Sequence, residues 1–318
     1  MTIETRAGLL EARSPAGLTY HASITTMDGV FEEFFAAYDK SFVLDNEKEG
    51  FSGFVECLAL NDGDGYQALC ARYGPFREFV VVVRNQTGAV LGGVNFITFP
   101  LADTDGGGRL LSLNLNYIFV VPSQRRQGVF RTIVGDLPSL ALALFKHTNA
   151  RDIPPAWDGE HRSPTIYTFI EQNDPYRMTP EDYALDTQAT GVDQLARIAM
   201  WARQGAKIID FPYVQPALTP DQEADPNLVY AVLGAKGSSL PPQLLSQHLE
   251  RFFGISVLKG RDLKGNPDAL QQLERLGVLQ SGGARVGLLG MVDLRSLPRP
   301  NADRGAGAAR TLRSLLSP

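Results

Sequence analysis

The chain has 318 residues, past the length at which a single hydrophobic core grows comfortably, so one large domain with extensions or two modest ones is expected. A net charge of −5 denies it a broad basic field for nucleic acid or an anionic membrane, and no stretch reaches the roughly 18 apolar residues of a membrane span. The cysteines, Cys57 and Cys70, lie too far apart for a C-x-x-C pair and share no zinc-like spacing with a histidine, which fits a reduced, cytoplasmic compartment and no metal.

The first 17 residues carry Glu4 and Glu11 and no sustained apolar run, so they read as an N-terminal arm and not as a signal peptide. Residues 18–24 alternate apolar and polar side chains as a short strand does. Val30, Phe31, Phe34, Phe35 and Tyr38 recur at helical spacing behind Asp28, a suitable cap. Residues 45–73 read as a helix and loops. Residues 79–84 are a β-branched run, 85–88 a turn and 89–99 a second strand, together a hairpin. A Gly/Asp connection at 103–108 leads into a third strand, 111–121. Pro122 ends it, because proline cannot donate to a ladder.

After Gly128 the apolar period becomes 3.6. Val129, Phe130, Ile133, Val134, Leu137, Leu140, Ala141 and Leu144 share one stripe of a long helix, which Pro138 should kink or split. Residues 164–171 return to strand. Thr190 with Asp193 resembles a capping box, and Leu195, Ile198, Ala199 and Ala202 form the buried stripe of a helix that Gly205 ends. Strands at 207–213 and 228–233 follow. Beyond Gly234, Leu244, Leu245, Leu249, Phe252 and Phe253 predict an amphipathic helix, and Asn266-Pro267 opens another that Gly277 stops. From Pro298 the chain is rich in Pro, Gly, Ala and Arg and reads as a loose tail. The expected organisation is an arm at 1–17, a principal domain at 18–235, a mainly helical extension at 236–297 and a flexible tail at 298–318.

The sharpest feature is the strand ending in Tyr117-Ile118-Phe119-Val120-Val121-Pro122, then Arg125-x-x-Gly128-x-Phe130, then the long helix. A strand-to-helix turn leaves several amides without intrahelical partners at the helix N-terminus, where the dipole adds partial positive charge. Gly128 lets the main chain come close to a ligand, since no Cβ intrudes. The product is an anion cradle suited to a pyrophosphate. An ordinary turn with an incidental glycine is the bland alternative, against which stand the hairpin before it and the helix after it.

In this order of elements, residues 18–234 resemble the GNAT superfamily of acyl-CoA-dependent N-acyltransferases. The resemblance implies an α+β fold with a mixed, mostly antiparallel central sheet and flanking helices, here with a C-terminal helical extension. It implies that Arg125, Arg126, Gln127, Gly128, Val129 and Phe130 bind the pyrophosphate of acetyl-CoA or another acyl-CoA, chiefly through backbone amides. Phe119, Val120 and Val121 would pair with the pantetheine arm as a pseudo-strand, and the amide of Val120 or Val121 would receive the thioester oxyanion. The sequence departs from the family pattern twice. Phe130 stands where Gly or Ala is usual, and Trp201 stands four residues before Gly205, where many members carry the tyrosine that protonates the departing thiolate. Indole cannot act as that acid.

An attacking ammonium must first lose a proton, usually to a carboxylate or a water chain. The strand at 164–171 runs into Glu171-Gln172-Asn173-Asp174-Pro175-Tyr176, making Glu171 the first candidate base and Asp174 the second, against the plainer roles of strand-end cap and solvated turn. Tyr213, between Pro212 and Pro216, is a candidate substitute acid or a packed corner. The insertion between Asp174 and Gly191 reads as a lid or acceptor-binding loop. The segment 154–161, with Trp157 and His161, is a second candidate for the acceptor pocket. His21, His147 and His248 show no ligand spacing and receive no role. The expected function is transfer of an acetyl or other short acyl group from acyl-CoA to a primary amine of a small molecule, by direct attack in a ternary complex. A non-catalytic acyl-CoA-binding module, or a transferase for longer acyl-CoA or acyl-carrier-protein donors, remains the alternative. No nucleic acid or membrane partner is expected, and the apolar C-terminal helices are candidates for a groove wall or a homodimer surface.

Overall fold

The computed structural model describes residues 1–6, 9–42, 48–102, 109–150, 164–218, 222–291, 294–300 and 310–316. They form two compact units, the first of residues 1–168 and 251–262, the second of 169–250 and 263–318. The chain is α+β, and in both units every strand pairing described is antiparallel.

The first unit holds a meander in which neighbours in sequence are neighbours in the sheet: β1 (Ile3–Arg6), β2 (Leu9–Arg13), β3 (Thr19–Ser23), β4 (Arg77–Arg84), β5 (Val90–Ala102) and β6 (Arg109–Val120). The expected arm therefore contains two sheet strands. Their alternation is too short to stand out in sequence, and the pairing of Leu10 with Ala22 and Ala12 with Tyr20 is a tertiary effect. Helix α1 (Gly29–Asp39) begins where Asp28 accepts from the Val30 amide, and it buries Val30, Phe31, Phe34 and Tyr38. These side chains pack with Phe54 and Leu58 of α2 (Phe51–Ala59) against Val80, Val82 and Phe119 on one face of the sheet. Each fully buried side chain of this size contributes about 1.5–3 kcal/mol. The third helix, α3 (Gly63–Tyr73), precedes β4, and α4 (Val129–Thr148) follows β6, running through Pro138 as one helix.

A register shift interrupts the β5–β6 ladder. Asn95 pairs with Tyr117 but Phe96 pairs with Leu115, so Asn116 is an extra residue in β6.

Strand β7 (Thr165–Asn173) starts in the first unit and continues into the second, whose sheet runs in the order β7, β9, β8, β11, β10. Its elements are α5 (Pro180–Thr190), α6 (Gln194–Arg203), β8 (Lys207–Ile209), β9 (Leu228–Leu233), β10 (Ser239–Leu240), α7 (Pro242–Phe252), α8 (Pro267–Ser281), β11 (Val286–Leu289) and α9 (Leu312–Leu316). Several details depart from the sequence reading. The expected lid at 174–191 is largely helix α5, capped by Thr179, which accepts from the Asp182 amide. Asp193 caps α6 by accepting from Ala196, without Thr190 in that position. Strand β8 stops at Ile209, four residues short of the expected end at Tyr213, and α8 runs through Gly277 to Ser281. The tail is anchored at 310–316, where Leu312 is fully buried. Among the described residues no helix is long and apolar enough to cross a membrane.

Candidate functional site

In the first unit, β6 ends at Val120 and a 3-10 turn, Pro122–Gln124, carries the chain toward α4. The Val121 amide donates to the Leu91 carbonyl (2.9 Å), so β5 takes that donor. Alternation along an antiparallel strand then aims the Val120 N–H away from β5. Close approach of the strands requires Gly92, where a Cβ would stand 2.1 Å from the Phe119 carbonyl oxygen. Arg125 folds back, its Nε donating to the Val120 carbonyl (3.2 Å), and Gln127 Nε2 donates to the Ser123 carbonyl (3.1 Å).

The turn winds through left-handed backbone at Arg126 (φ 63°) and Gly128 (φ 81°). Arg126, Gln127 and Gly128 are exposed, while Val129 and Phe130 are half-buried. A Cβ added at Gly128 would meet nothing within 4 Å, so the space above this backbone is open. No side chain caps the first turn of α4. An uncapped N-terminus on a 20-residue helix, opening onto clear space, has the geometry and dipole to hold an anion.

In the second unit, Glu171 of β7 accepts a hydrogen bond from the Tyr213 hydroxyl. Part of the Glu171 residue reaches the surface, but protein surrounds its carboxyl group, and that desolvation pushes its pKa up to about 7. The Asp225 charge adds to the rise and the Tyr213 hydrogen bond opposes it. The Tyr213 ring lies flat on Tyr230 of β9, with centroids 4.4 Å apart and planes 9° apart. Tyr230 hydrogen-bonds through its hydroxyl to Nε2 of His248 on α7 (2.6 Å), and His248 stacks on Phe169 at 3.8 Å. Burial, more than any neighbouring charge, pushes both tyrosine hydroxyls well above their ordinary range. Both hydroxyls therefore keep their protons at neutral pH and are weaker acids than a free phenol.

Asp174 has different company. It is 1% exposed and accepts from the amides of Tyr176 (3.0 Å) and Leu312 (2.9 Å), so its carboxylate ties a turn and the C-terminal segment together. A cleft in this unit is lined by Asp174, Arg177, Tyr213, Tyr230, Thr311 and Arg313, among others. Trp201 is buried in the packed face of α6. His161 and the rest of the 154–161 segment lie outside the described residues. Among the described residues no group of three or more His, Cys, Asp or Glu could hold a metal ion.

Sequence reasoning missed Tyr230, His248 and Asp225. His248 does carry a signal, because it sits on the apolar stripe of α7 between Leu245 and Leu249, where a polar residue needs a partner.

No protein-family model matches the chain, and no curated protein matches it. Among solved structures it is similar to Arabidopsis thaliana NAA60 in complex with acetyl-CoA, at 11% identity over 69% of this chain and 99% of that one, with a TM-score of 0.35. A spermidine N-acetyltransferase from Vibrio cholerae, in complex with CoA and spermine, gives 11% identity over 69% and 95%, with a TM-score of 0.33. An aminoglycoside acetyltransferase from an uncultured soil metagenomic sample gives 15% over 53% and 87%, with a TM-score of 0.26. Those identities and scores are too low to transfer an activity. Independently of them, the element order from β3 to β9 follows the one implied by the sequence resemblance, with three helices (α1 to α3) between the first strand and the hairpin and two (α5 and α6) between β7 and β8, where the resemblance implies one in each place.

Proposed function

We propose that this chain is an acyl-CoA-dependent acyltransferase, moving an acetyl or other short acyl group to a primary amine of a small molecule. One observation carries the reading: the open, left-handed backbone at Gly128, opening an uncapped long helix directly after a central strand. In this reading the amides from Arg126 to Phe130 hold the pyrophosphate, the Arg125 amide being engaged by the Pro122 carbonyl (3.4 Å). Phe119, Val120 and Val121 run beside the pantetheine arm, and the Val120 N–H receives the charge that develops on the thioester oxygen.

For the amine's proton, Glu171 is the acceptor. A carboxyl with a pKa of about 7 is ionised often enough near neutrality to take a proton and basic enough to hold it. Tyr213 steadies that carboxylate and is the candidate donor to the departing thiolate, in place of the family tyrosine whose position Trp201 occupies. Asp174, held by two amides, has the weaker case as a base and acts as an anchor.

The test is release of free CoA thiol from acetyl-CoA across a panel of small primary amines, beside calorimetric titration of CoA. Turnover with at least one amine supports transfer. Tight CoA binding with no turnover on any amine or acyl chain length supports a non-catalytic binding module instead.

A further inference from the structure

A polar network inside the first unit plays no part in the roles assigned above. Glu78 lies on β4 and is 2% exposed. Its Oε1 accepts from Asn95 Nδ2 (3.1 Å) and Asn116 Nδ2 (3.2 Å), and its Oε2 accepts from Ser256 Oγ (2.7 Å). Asn116 Nδ2 also donates to Asn95 Oδ1 (3.1 Å), and Asn114 Nδ2 donates to Asn116 Oδ1 (2.9 Å). The neighbouring cation Lys259 pairs with Glu49 instead (2.9 Å). Burying a carboxylate is costly even with good donors, and a well-packed apolar residue often serves stability as well. A position kept polar at that cost calls for a task beyond stability.

The task is visible in the strand register. Glu78 pairs with Ile97, which pairs with Asn114, so these residues and Asn95 share one face of the sheet. Asn116 belongs to that face by simple alternation. Tyr117 would then face the other way, yet it pairs with Asn95, because Asn116 is the extra residue. The bulge therefore reverses the facing of everything after it. Tyr117 and Phe119 turn into the α1–α2 core, and Val121, not Val120, gives its amide to β5. Glu78 grips the residue at which this reversal happens.

Ser256 comes from the C-terminal half of the sequence. Residues 251–262 belong to the first unit and include a fully buried π-helical turn, Phe253–Val257. The segment is fastened along its length: Arg251 Nε donates to the Tyr73 carbonyl (2.8 Å), Cys57 Sγ to the Ser256 carbonyl (3.4 Å), and Lys259 pairs with Glu49.

Resting on the acyl-CoA reading, we infer that Glu78 is a positioning residue: with Asn95, Asn116 and Ser256 it fixes the β6 bulge, and with it the direction of the amides at Phe119, Val120 and Val121 that would meet the pantetheine arm. Residues 251–262 are then a working part of the acyl-CoA-binding unit and not a separable appendage.

The experiment uses the full chain and two readouts, hydrogen exchange of the peptide at 114–124 and calorimetric titration of CoA. In Glu78→Leu, exchange quickens by about tenfold or more and CoA affinity falls by about tenfold or more. Glu78→Gln keeps one carbonyl oxygen for Asn95 and Asn116 and stays within about threefold of wild type in both. Phe145→Leu, a packing change in the separate cluster that Phe145 forms with Leu111, lowers the melting temperature while both readouts stay within about threefold. Wild-type exchange and affinity in folded Glu78→Leu overturn the inference, as does a Glu78→Gln variant as impaired as Glu78→Leu. Should Glu78→Leu fail to fold by circular dichroism, Ser256→Ala decides: exchange at least about threefold faster upholds the inference, unchanged exchange overturns it. A wild-type chain that binds no CoA removes the acyl-CoA reading and the cradle role with it, while the exchange comparison still reports whether the network holds the strand end.

Discussion

Tyr213 donates its phenolic hydrogen to Glu171, and the two side chains form the one meeting of candidate catalytic groups among the described residues. The bond stabilises the ionised carboxylate while burial opposes ionisation, and the balance leaves Glu171 near a pKa of 7.

The base role predicts a rate that climbs with pH. Glu171 accepts a proton only when ionised, so kcat/KM for the amine should rise as pH passes through about 7. In Glu171→Gln that limb disappears and kcat falls by roughly a hundredfold, with CoA affinity unchanged. Steady-state kinetics from pH 5.5 to 9 check it, using about half-unit steps. Wild-type turnover in the variant removes Glu171 from the mechanism.

Tyr213→Phe gives a second, signed outcome. Losing the hydrogen bond takes away a stabiliser of the carboxylate, so the Glu171 pKa moves upward and the rising limb shifts to higher pH. A limb that stays put or moves down contradicts the pairing.

Stability should run the opposite way to activity. Because the folded-state pKa of Glu171 is raised, the protonated form favours folding: this contribution is complete below the ordinary carboxyl value of 4.5 and is lost as pH rises through about 7. Glu171→Gln, uncharged at every pH, should therefore gain melting temperature relative to wild type as pH goes from about 5 to about 8. Thermal scans at several pH values measure the gap, and a constant gap speaks against burial as the cause of the shift.

Some of this was readable in the residues and some was not. The capped start of α1, the hairpin of β4 and β5, the end of β6 at Pro122 and the apolar stripe of α4 all follow from local signals that agree with their surroundings. What escaped notice depends on partners distant in sequence. Glu78 stands just before an apolar run and Asn114-x-Asn116 in a strand, but the bulge that joins them is a property of two strands together. Tyr230 and His248 are 18 residues apart and meet only because α7 packs over β9. Leu312 is a buried residue in a composition that otherwise reads as tail, and its amide is held by Asp174, a partner distant in sequence.

That anchor is itself testable. Asp174→Ala leaves the amides of Tyr176 and Leu312 without their acceptor in a buried setting, at a cost of about 1–3 kcal/mol for each unsatisfied group. Trypsin should then cut at Arg310 and Arg313 faster than in wild type, and Asp174→Asn, which keeps one carbonyl oxygen, should fall between the two. Equal cutting in all three chains denies Asp174 the anchoring role.

The most direct measurement is calorimetric titration of CoA into the wild-type chain and into Gly128→Val. Nothing lies within 4 Å of a Cβ at this position, so the substitution disturbs no packing; it fills the open space above the turn and strains a backbone whose φ is 81°. Wild type should bind CoA saturably and the variant about tenfold or more weakly, with the circular dichroism spectrum unchanged. Equal affinity in the two proteins, or no binding in either, contradicts the acyl-CoA reading.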